Sequence, residues 1–309
     1  MKYAVISDVH GNYPALEAAL ADAGASDADM YLFLGDYATN FPWGNEVVDA
    51  VRRTRPKIVI RGNGEGYLAD LKKVDQRYWT KEQWKPAYWA YRSLSAENLE
   101  YLLSLRESAG ITDGSYTIHL SHSVDLFYNT PGVDVFLSSA FREMMETGPF
   151  SHAEYLVRAK NAITSNADAL AGIASLPPGI YLFGHNHMQF YLENEGRLFI
   201  NPGSCGEALD LNTTAAYTLL DCMGDQLTVT ERRVAYDLTA VADGLRSSGF
   251  SEYAPVWSDI MERELYTGKD YYHPFVMHLI ATANELGCEE YPVRNDVWDK
   301  AVKTWRPTE

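Results

Sequence analysis

The sequence predicts an α/β fold, and two patterns carry this prediction. The first third of the chain alternates apolar runs of strand length with helical spacing, in a β-α-β-α-β order that favours a parallel sheet. Further along, short apolar runs are separated by turn sequences such as Glu195-Gly196, which are typical of hairpins. Segments of helical composition interrupt and follow these strands. We therefore expect an α/β core with a helical insert and a helical C-terminal extension.

The first elements follow from the spacing of apolar residues. Pro14 suits the first turn of a helix, and Val47, Val48 and Val51 recur at helical spacing. Each apolar run of strand length is followed closely by glycine or a polar residue. Strands are predicted at residues 3–7, 30–34 and 58–60, and helices at residues 14–23 and 45–54.

The remaining elements divide the chain into three parts. Residues 67–110 are rich in Trp, Tyr, Lys and Glu, and we interpret them as a helical insert within a core of residues 1–236. Residues 237–309 have helical composition, with breaks such as Pro274, and are expected to pack on the core as an extension. Within the core, further strands are predicted at residues 115–121, 180–183, 190–192, 198–200, 216–220 and 227–230, and helices at residues 136–145 and 151–174.

Composition limits the classes of protein to which the chain can belong. Of its 309 residues 46% are hydrophobic, as in ordinary globular proteins, and no apolar run approaches the roughly 20 residues of a membrane span. The net charge of −16 disfavours nucleic-acid binding. Three widely spaced cysteines form neither a disulfide framework nor a zinc knuckle. We expect a cytoplasmic protein with no secretory signal and no membrane partner, and the sequence leaves a homo-oligomer open.

Residues of metal-binding type recur where the predicted strands end. In open α/β sheets ligands gather beyond the carboxyl ends of the strands, so these side chains are expected at one edge of the fold. Two carboxylates, one amide and four imidazoles suit two divalent metals, and a di-metal site indicates phosphoester hydrolysis. Mixed nitrogen and oxygen ligands suit Mn, Fe, Zn, Co or Ni, whereas a thiolate site is excluded. The candidate ligands are Asp8, His10, Asp36, Asn63, His122, His185 and His187.

A purely structural role is the alternative for each candidate ligand, because a single Asp-x-His or Gly-Asp sequence is common in proteins that bind no metal there. Their combination, each at a strand end, favours one site over coincidence. The remaining histidines lie within predicted strands or helices, and we expect structural roles for His119, His152, His273 and His278. Near-helical spacing favours a packed helix face over a base-stacking platform for Trp79, Trp84 and Trp89.

In their order, these motifs resemble those of calcineurin-like metallophosphoesterases, and in particular the small prokaryotic branch of that superfamily. Ser7-Asp8-Val9-His10-Gly11-Asn12 is similar to the opening of that branch. Phe183-Gly184-His185-Asn186-His187, followed by Asn201-Pro202-Gly203-Ser204, is similar to its closing section. The likeness covers roughly residues 1–66 and 115–236. It implies a β-sandwich flanked by helices, with a di-metal site at one edge.

The resemblance also implies a role for each candidate ligand. Asp36 would bridge the two metals and orient the hydroxide that attacks phosphorus, while Asn12 matches a position near the substrate phosphate. Asn186 replaces the usual threonine between the last two histidines, a change that should not disturb ligation. The first metal would be held by Asp8, His10, Asp36 and His187. The second metal would be held by Asp36, Asn63, His122 and His185.

One departure from the family pattern affects the expected chemistry. Gly64 stands where many members have a histidine that supports the phosphate and can protonate the leaving oxygen. General acids typically contribute ~10²–10⁴-fold to the rate. Since glycine has no side chain, we expect a preference for good leaving groups, such as aryl phosphates, over alkyl esters.

The function expected from these observations is di-metal-dependent hydrolysis of a small phosphorylated substrate, with phosphodiesters favoured. Alternatives within the same chemistry are a phosphomonoesterase, a protein phosphatase and a nucleotide pyrophosphohydrolase. A non-catalytic metal-binding scaffold is a further alternative, although such scaffolds typically lose ligands. We also expect the insert or the C-terminal helices to cap the site and to set the size of the substrate.

Overall fold

Two five-stranded sheets form the centre of this computed structural model, which describes residues 1–124, 151–224 and 226–307. The strands are β1 (Lys2–Ile6), β2 (Met30–Phe33), β3 (Lys57–Val59), β4 (Ser108–Asp113), β5 (Tyr116–Ser121), β6 (Gly179–Leu182), β7 (Gln189–Asn194), β8 (Arg197–Pro202), β9 (Ala215–Met223) and β10 (Gln226–Val234). One sheet has the order β10-β9-β1-β2-β3 and the other the order β4-β5-β6-β8-β7. Each contains parallel and antiparallel pairs, so both are mixed.

The parallel pairing expected at the start of the chain joins β1 to β2 and β2 to β3. The hairpin chemistry expected later in the chain produces the antiparallel pairs β7–β8 and β9–β10. Strand β9 also pairs with β1, which brings the hairpin into the first sheet. The predicted fold class, an α/β sandwich of two sheets flanked by helices, is therefore confirmed.

The two sheets pack face to face around fully buried aliphatic side chains. Val5 and Leu32 come from the first sheet, and Leu120 and Leu182 come from the second. Because successive residues of a strand point to opposite faces, the alternate residues face outward and need a second layer of cover. Helices supply that layer on both sides.

The helices flank the sheets and form the C-terminal part of the chain. They are α1 (Tyr13–Ala25), α2 (Gly44–Arg53), α3 (Asn63–Leu71), α4 (Lys85–Ser93), α5 (Ala96–Leu103), α6 (His152–Ser165), α7 (Ala167–Ser175), α8 (Leu238–Ser247), α9 (Phe250–Tyr253), α10 (Pro255–Thr267), α11 (Tyr272–Glu285) and α12 (Asn295–Thr304). Helices α1, α2 and α5 cover the outer face of the first sheet, and α6 and α7 cover that of the second. Within the described part of the chain, no helix combines the length and apolar character that crossing a bilayer requires.

The C-terminal helices share an apolar cluster of their own. Trp257, Phe275 and Trp298 lie at its centre, with ring centroids 5.1–5.6 Å apart. Phe41, from the loop between β2 and α2, belongs to the same cluster and connects it to the rest of the molecule. The boundary proposed at residue 236, and the limits proposed for the insert, stay predictions.

Two details of the insert differ from the prediction. Strand β4 begins at Ser108, inside the segment expected to be helical, and it was not predicted because Ser108–Asp113 contains no apolar run. Trp79 and Trp84 do not lie in an α-helix with Trp89, because short 3₁₀ turns at Gln76–Tyr78 and Glu82–Trp84 precede α4. The three rings pack against separate partners, Tyr88, Tyr67 and Phe250 respectively.

Other elements differ in their limits. Pro274 was expected to break a helix, but it lies in the first turn of α11, where its missing N–H has no partner to lose. The helix expected at residues 151–174 is two helices, and the side chain of Asn166 caps the second of them. The helix expected at residues 136–145 lies outside the described residues.

Candidate metal centre

Most of the candidate ligands lie in turns that leave the carboxyl ends of the strands. The turn after β1 is joined to the turn after β2, because the Asp8 N–H donates to the Gly35 carbonyl at 3.1 Å. The His10 N–H likewise donates to the Asp36 carbonyl at 3.0 Å. The backbone of these turns is also left-handed, with positive φ, at several non-glycine residues. This conformation costs of order 1–3 kcal/mol per residue and is concentrated at functional sites. It is adopted, with φ between 50° and 73°, by Asp8, His10, Asp36, His185 and His187.

One cluster of donors joins two histidines to a carboxylate. The Nε2 atoms of His10 and His187 are 3.1 Å apart. Asp8 Oδ1 lies 3.5 Å from His187 Nε2 and 3.9 Å from His10 Nε2. All three residues are buried. Two imidazole nitrogens bound at right angles, each about 2.1 Å from one cation, are about 3.0 Å apart. The separation of the two rings therefore suits neighbouring ligands of a single ion.

A second cluster shares Asp8 with the first and adds Asp36 and His122. His122 Nε2 lies 3.5 Å from Asp36 Oδ2 and 3.9 Å from Asp8 Oδ1. Asn63, the first residue of α3, places its Oδ1 atom 2.9 Å from the same nitrogen. This cluster therefore offers carboxylate, amide and imidazole donors within one small volume.

The Asp36 carboxylate belongs to the second cluster and also faces the first. Its Oδ2 atom is 3.7 Å from His10 Nε2 in the first cluster and 3.5 Å from His122 Nε2 in the second. Its Oδ1 atom accepts the Gly64 N–H at 2.7 Å. One carboxylate oxygen is thus fixed by the backbone, and the other faces both groups of donors.

Burial and the charges of neighbouring side chains together determine the protonation of the residues in the two clusters. Burial alone would raise the pKa of Asp36, but His122 and then His10 hold it below the ordinary value. Burial alone would lower the pKa of His122, but the Asp36 carboxylate outweighs it and raises the pKa to about 10. Burial lowers the pKa of His10 to about 4 and also lowers that of His187. The last two rings are therefore neutral at pH 7, in the form that binds metals.

The sequence that forms this group of buried carboxylates and imidazoles matches a known protein family. The calcineurin-like phosphoesterase superfamily domain matches residues 1–225 of the chain. The chain belongs to this superfamily. The metallophosphoesterase resemblance read from the motifs is therefore confirmed, while the match itself names no substrate.

Two solved structures share the fold, and one curated relative is similar in sequence. A metallophosphoesterase from Sphaerobacter thermophilus is 24% identical, with a TM-score of 0.60, and the match covers 87% of this chain and 100% of that one. The hypothetical protein PH1004 from Pyrococcus horikoshii is 18% identical, with a TM-score of 0.60, and the match covers 87% and 99%. The protein MJ0912 from Methanocaldococcus jannaschii is 24% identical over 250 residues, 76% of this chain and 88% of that one.

Divalent metals are typical of this superfamily, and the hydrogen bonds around the histidines suit such ions. The Nδ1–H of His187 donates to the Glu207 carbonyl at 2.6 Å, and that of His122 donates to the Leu34 carbonyl at 2.8 Å. A carbonyl can only accept, so Nδ1 carries a proton in both rings, and Nε2 of the neutral His187 ring presents a lone pair to the centre. His122, whose pKa is raised, would release its Nε2 proton when a metal binds there. The residues present therefore fit divalent metals, whose number and identity stay a prediction.

Gly64 departs from the superfamily pattern, and its surroundings explain what glycine does there. Its N–H holds Asp36, and a Cβ at this position would lie 3.0 Å from Asp36 Oδ1 and 3.4 Å from Thr39 Oγ1. A side chain here would therefore point toward the centre. Gly62 approaches Asp36 more closely still, since a Cβ there would lie 2.1 Å from Asp36 Oδ1. The loop and Asp36 fit together only with glycine at position 62.

Two other predicted site residues, His185 and Asn12, make different contacts from the residues of the two clusters. His185 donates its N–H to Asp8 Oδ2 at 3.1 Å, and its ring lies edge-on to His122 with centroids 5.2 Å apart. Asn12 is fully buried at the start of α1, where its side chain accepts the Ala15 N–H and donates to the Gly206 carbonyl at 2.8 Å. These contacts give Asn12 a structural role, and a phosphate contact stays a prediction.

Glu207 belongs to the centre, although nothing in the sequence indicated it. Its Oε2 atom lies 3.7 Å from His10 Nε2, as close as that of Asp36. Asn40 Nδ2 donates to both of its carboxylate oxygens at 2.9 Å. Burial, opposed by Asn40 and assisted by nearby Asp8, raises the pKa of Glu207 to about 8. Glu207 follows the end of β8 and the motif Asn201-Pro202-Gly203-Ser204, but neither indicates that its carboxylate lies beside His10, which only the fold shows.

Proposed function

We propose that the chain is a di-metal-dependent phosphoester hydrolase that acts on phosphodiesters. The observation that carries this proposal is the position of Asp36, whose Oδ2 atom faces His10 at 3.7 Å and His122 at 3.5 Å. A carboxylate that faces two groups of imidazole donors is compatible with two ions about 3.5–4 Å apart. The proposed ligands are Asp8, His10, Asp36, Asn63, His122, His185 and His187.

Two divalent ions of the Mn, Fe, Zn, Co or Ni class would supply Lewis acidity toward a phosphoryl oxygen and acidity to a bound water. The protein fixes the donors beforehand. His122 and His187 are oriented by backbone carbonyls, and Asp36 is oriented by the Gly64 N–H. Because these donors are buried in a preorganised setting, little reorganisation is needed when charge develops on the substrate.

Protonation of the leaving oxygen is where this chain differs from the common family pattern. Gly64 contributes only its N–H, and that group is already bonded to Asp36. We therefore propose a preference for substrates whose leaving group needs no proton. An aryl phosphodiester should be hydrolysed at least ~10²-fold faster than an alkyl phosphodiester of the same charge, the lower bound of a general acid's contribution.

A panel of phosphoesters tests the proposal. Metal-loaded protein is assayed with aryl and alkyl phosphodiesters, an aryl phosphomonoester, a nucleoside diphosphate and a phosphopeptide, each with Mn²⁺, Zn²⁺ and Co²⁺. Fastest turnover of the aryl phosphodiester supports the proposal. Similar rates for aryl and alkyl phosphodiesters would contradict the leaving-group argument. Metal uptake without turnover of any substrate would favour a non-catalytic scaffold.

A further inference from the structure

A cavity lies at the end of the first sheet that is opposite to the metal centre. Its volume is about 430 Å³, and volumes of roughly 300–1,000 Å³ are usual for small-molecule sites. Lys57, which lines the cavity, is the first residue of β3, whereas the proposed ligand Asn63 follows the other end of that strand. The cavity is therefore separate from the proposed metal site. Its lining residues are Asp49, Arg52, Arg53, Arg55, Lys57 and Tyr101.

Positive charge is concentrated in this cavity, although the chain as a whole is acidic. The chain has 42 acidic and 26 basic residues, yet four residues that line the cavity are basic and only Asp49 is acidic. Asp49 Oδ1 lies 3.8 Å from Arg52 Nη1, and Arg52 also forms an ion pair with Glu97, so Arg52 is balanced. In the part of the chain that the structure describes, no carboxylate lies within ion-pair distance of the other three, Arg53, Arg55 and Lys57.

Two of these cations are held close together by the same backbone carbonyls at the end of α2. Lys57 Nζ donates to the Arg52 carbonyl at 2.7 Å and to the Thr54 carbonyl at 3.2 Å. Arg55 Nη1 donates to the same two carbonyls, at 2.7 Å for that of Thr54. Because both contact the Thr54 oxygen, the two charged groups lie no more than about 6 Å apart and repel each other. Burial, followed by the charges of Arg55 and Arg52, lowers the pKa of Lys57 to about 8, which is consistent with this repulsion.

The two carbonyls use only part of the hydrogen-bonding capacity of Arg55 and Lys57. A guanidinium has five N–H donors and an ammonium has three. The N–H groups of Arg55 Nε and Nη2 are left over, in the planar arrangement that matches two oxygens of one phosphate group. Lys57 retains one N–H. Within the described residues these remaining donors have no partner, and the Arg55 side chain is exposed to solvent.

We propose that this cavity binds a small anion that carries two or more phosphate groups, with Arg55 and Lys57 as its main contacts. Two neighbouring cations without carboxylate partners favour two linked anionic groups over one. A small molecule is favoured over a nucleic acid or a membrane surface, because the net charge of −16 repels extended polyanions. Tyr101, whose ring lies 5.6 Å from the Arg52 guanidinium, forms one wall of the cavity. The inference is independent of the proposed function, since it concerns the opposite end of β3.

Calorimetric titrations with methylenebisphosphonate, which has two phosphonate groups, and with methylphosphonate test this proposal. The full-length chain is used without divalent ions, because a bisphosphonate would otherwise bind to metals at the metal centre. One bisphosphonate should bind per chain, at least about tenfold more tightly than methylphosphonate. Arg55→Gln should weaken bisphosphonate binding about tenfold, and Arg55→Lys, which keeps the charge but loses the planar donors, should weaken it less. Arg306→Gln is the matched control, since Arg306 is also exposed and also donates to backbone carbonyls.

A role confined to the end of α2 predicts a different result. Arg55→Gln would then lower the free energy of unfolding and leave the bisphosphonate affinity unchanged, which would overturn the proposal. Absence of binding to the unmodified protein, or an equal loss of affinity in Arg306→Gln, would overturn it as well. Similar affinities for the two phosphonates would contradict the requirement for two phosphate groups. No hydrolysis is involved, so the result stands whether or not the chain hydrolyses phosphoesters.

Discussion

At the scale of single residues, Glu65 organises the turns that carry the proposed ligands. It is buried, and its carboxylate accepts three backbone N–H groups at 2.8–2.9 Å, from Gly62, Asp36 and Tyr37. It thereby joins the turn after β2 to the start of α3. Burial, increased by the Asp36 charge and opposed by these hydrogen bonds, raises the pKa of Glu65 to about 7.

Glu65→Gln should destabilise the protein and weaken metal binding together. The amide keeps one acceptor oxygen, so at least one buried N–H loses its partner, at a cost of about 1–3 kcal/mol. Chemical denaturation measures the free energy of unfolding, and calorimetry with Mn²⁺ measures metal affinity. Glu46→Gln, at an exposed position of α2, is the control and should change neither quantity. Unaltered stability and affinity in Glu65→Gln would show that the three hydrogen bonds do not organise the centre.

The grouping of Asp8, His10, Asp36, His122 and His187 was predictable because these residues follow apolar strands at the carboxyl ends, where a parallel sheet collects them. Glu207 was not predictable, because its partners come from distant segments: Asn40 is 167 positions away. Glu65 was visible in its motif, but its role depends on a fold that brings Asp36 within 2.9 Å. Contacts between remote segments have no signature in local spacing.

At the scale of elements, the strands that contain an apolar run were predictable, and β4, which lacks one, was not. Strand β4 alternates between exposed and half-buried residues at the edge of its sheet, so it lacks the apolar run that indicates a strand. The first helix is attached to the sheet by a polar contact that the sequence also did not reveal. Asp22 of α1 accepts hydrogen bonds from Arg232 Nη2 of β10 at 2.8 Å and from the Tyr217 hydroxyl of β9.

The Asp22 contact should make a pH-dependent contribution to stability. The hydrogen bond from Arg232 lowers the pKa of Asp22, so the contribution is present above the unfolded-state pKa of about 3.9 and is lost as the pH falls through the lower folded-state value. The Asp22 side chain is 25% exposed and that of Arg232 is 38% exposed, and this exposure limits the contribution of the ion pair to stability to about 1 kcal/mol. Asp22→Asn should therefore be less stable than the unmodified protein at pH 7, and the difference should shrink as the pH falls below about 3.9. A difference that is independent of pH would show that the charge of Asp22 is not involved.

At the scale of the whole molecule, the metallophosphoesterase sandwich carries the candidate metal centre, and capping of the site by the insert or the C-terminal helices stays a prediction. The insert and the C-terminal helices were recognised by composition, but their contact with each other required the structure, since it depends on hydrogen bonds such as that from the Val293 N–H to Gln83. The chain carries a net charge of −16, so binding of cations by the buried carboxylates also relieves local repulsion.

The most direct test of this account is the number of metal ions bound per chain. Protein stripped with a chelator, equilibrated with Mn²⁺ and freed of excess ion is measured by mass spectrometry of its metal content. We expect two ions per chain in the unmodified protein, at most one in Asp36→Asn, and two in Asp259→Asn, which alters an exposed aspartate of α10. No bound metal in the unmodified protein, or two ions in Asp36→Asn, would contradict a di-metal centre bridged by Asp36.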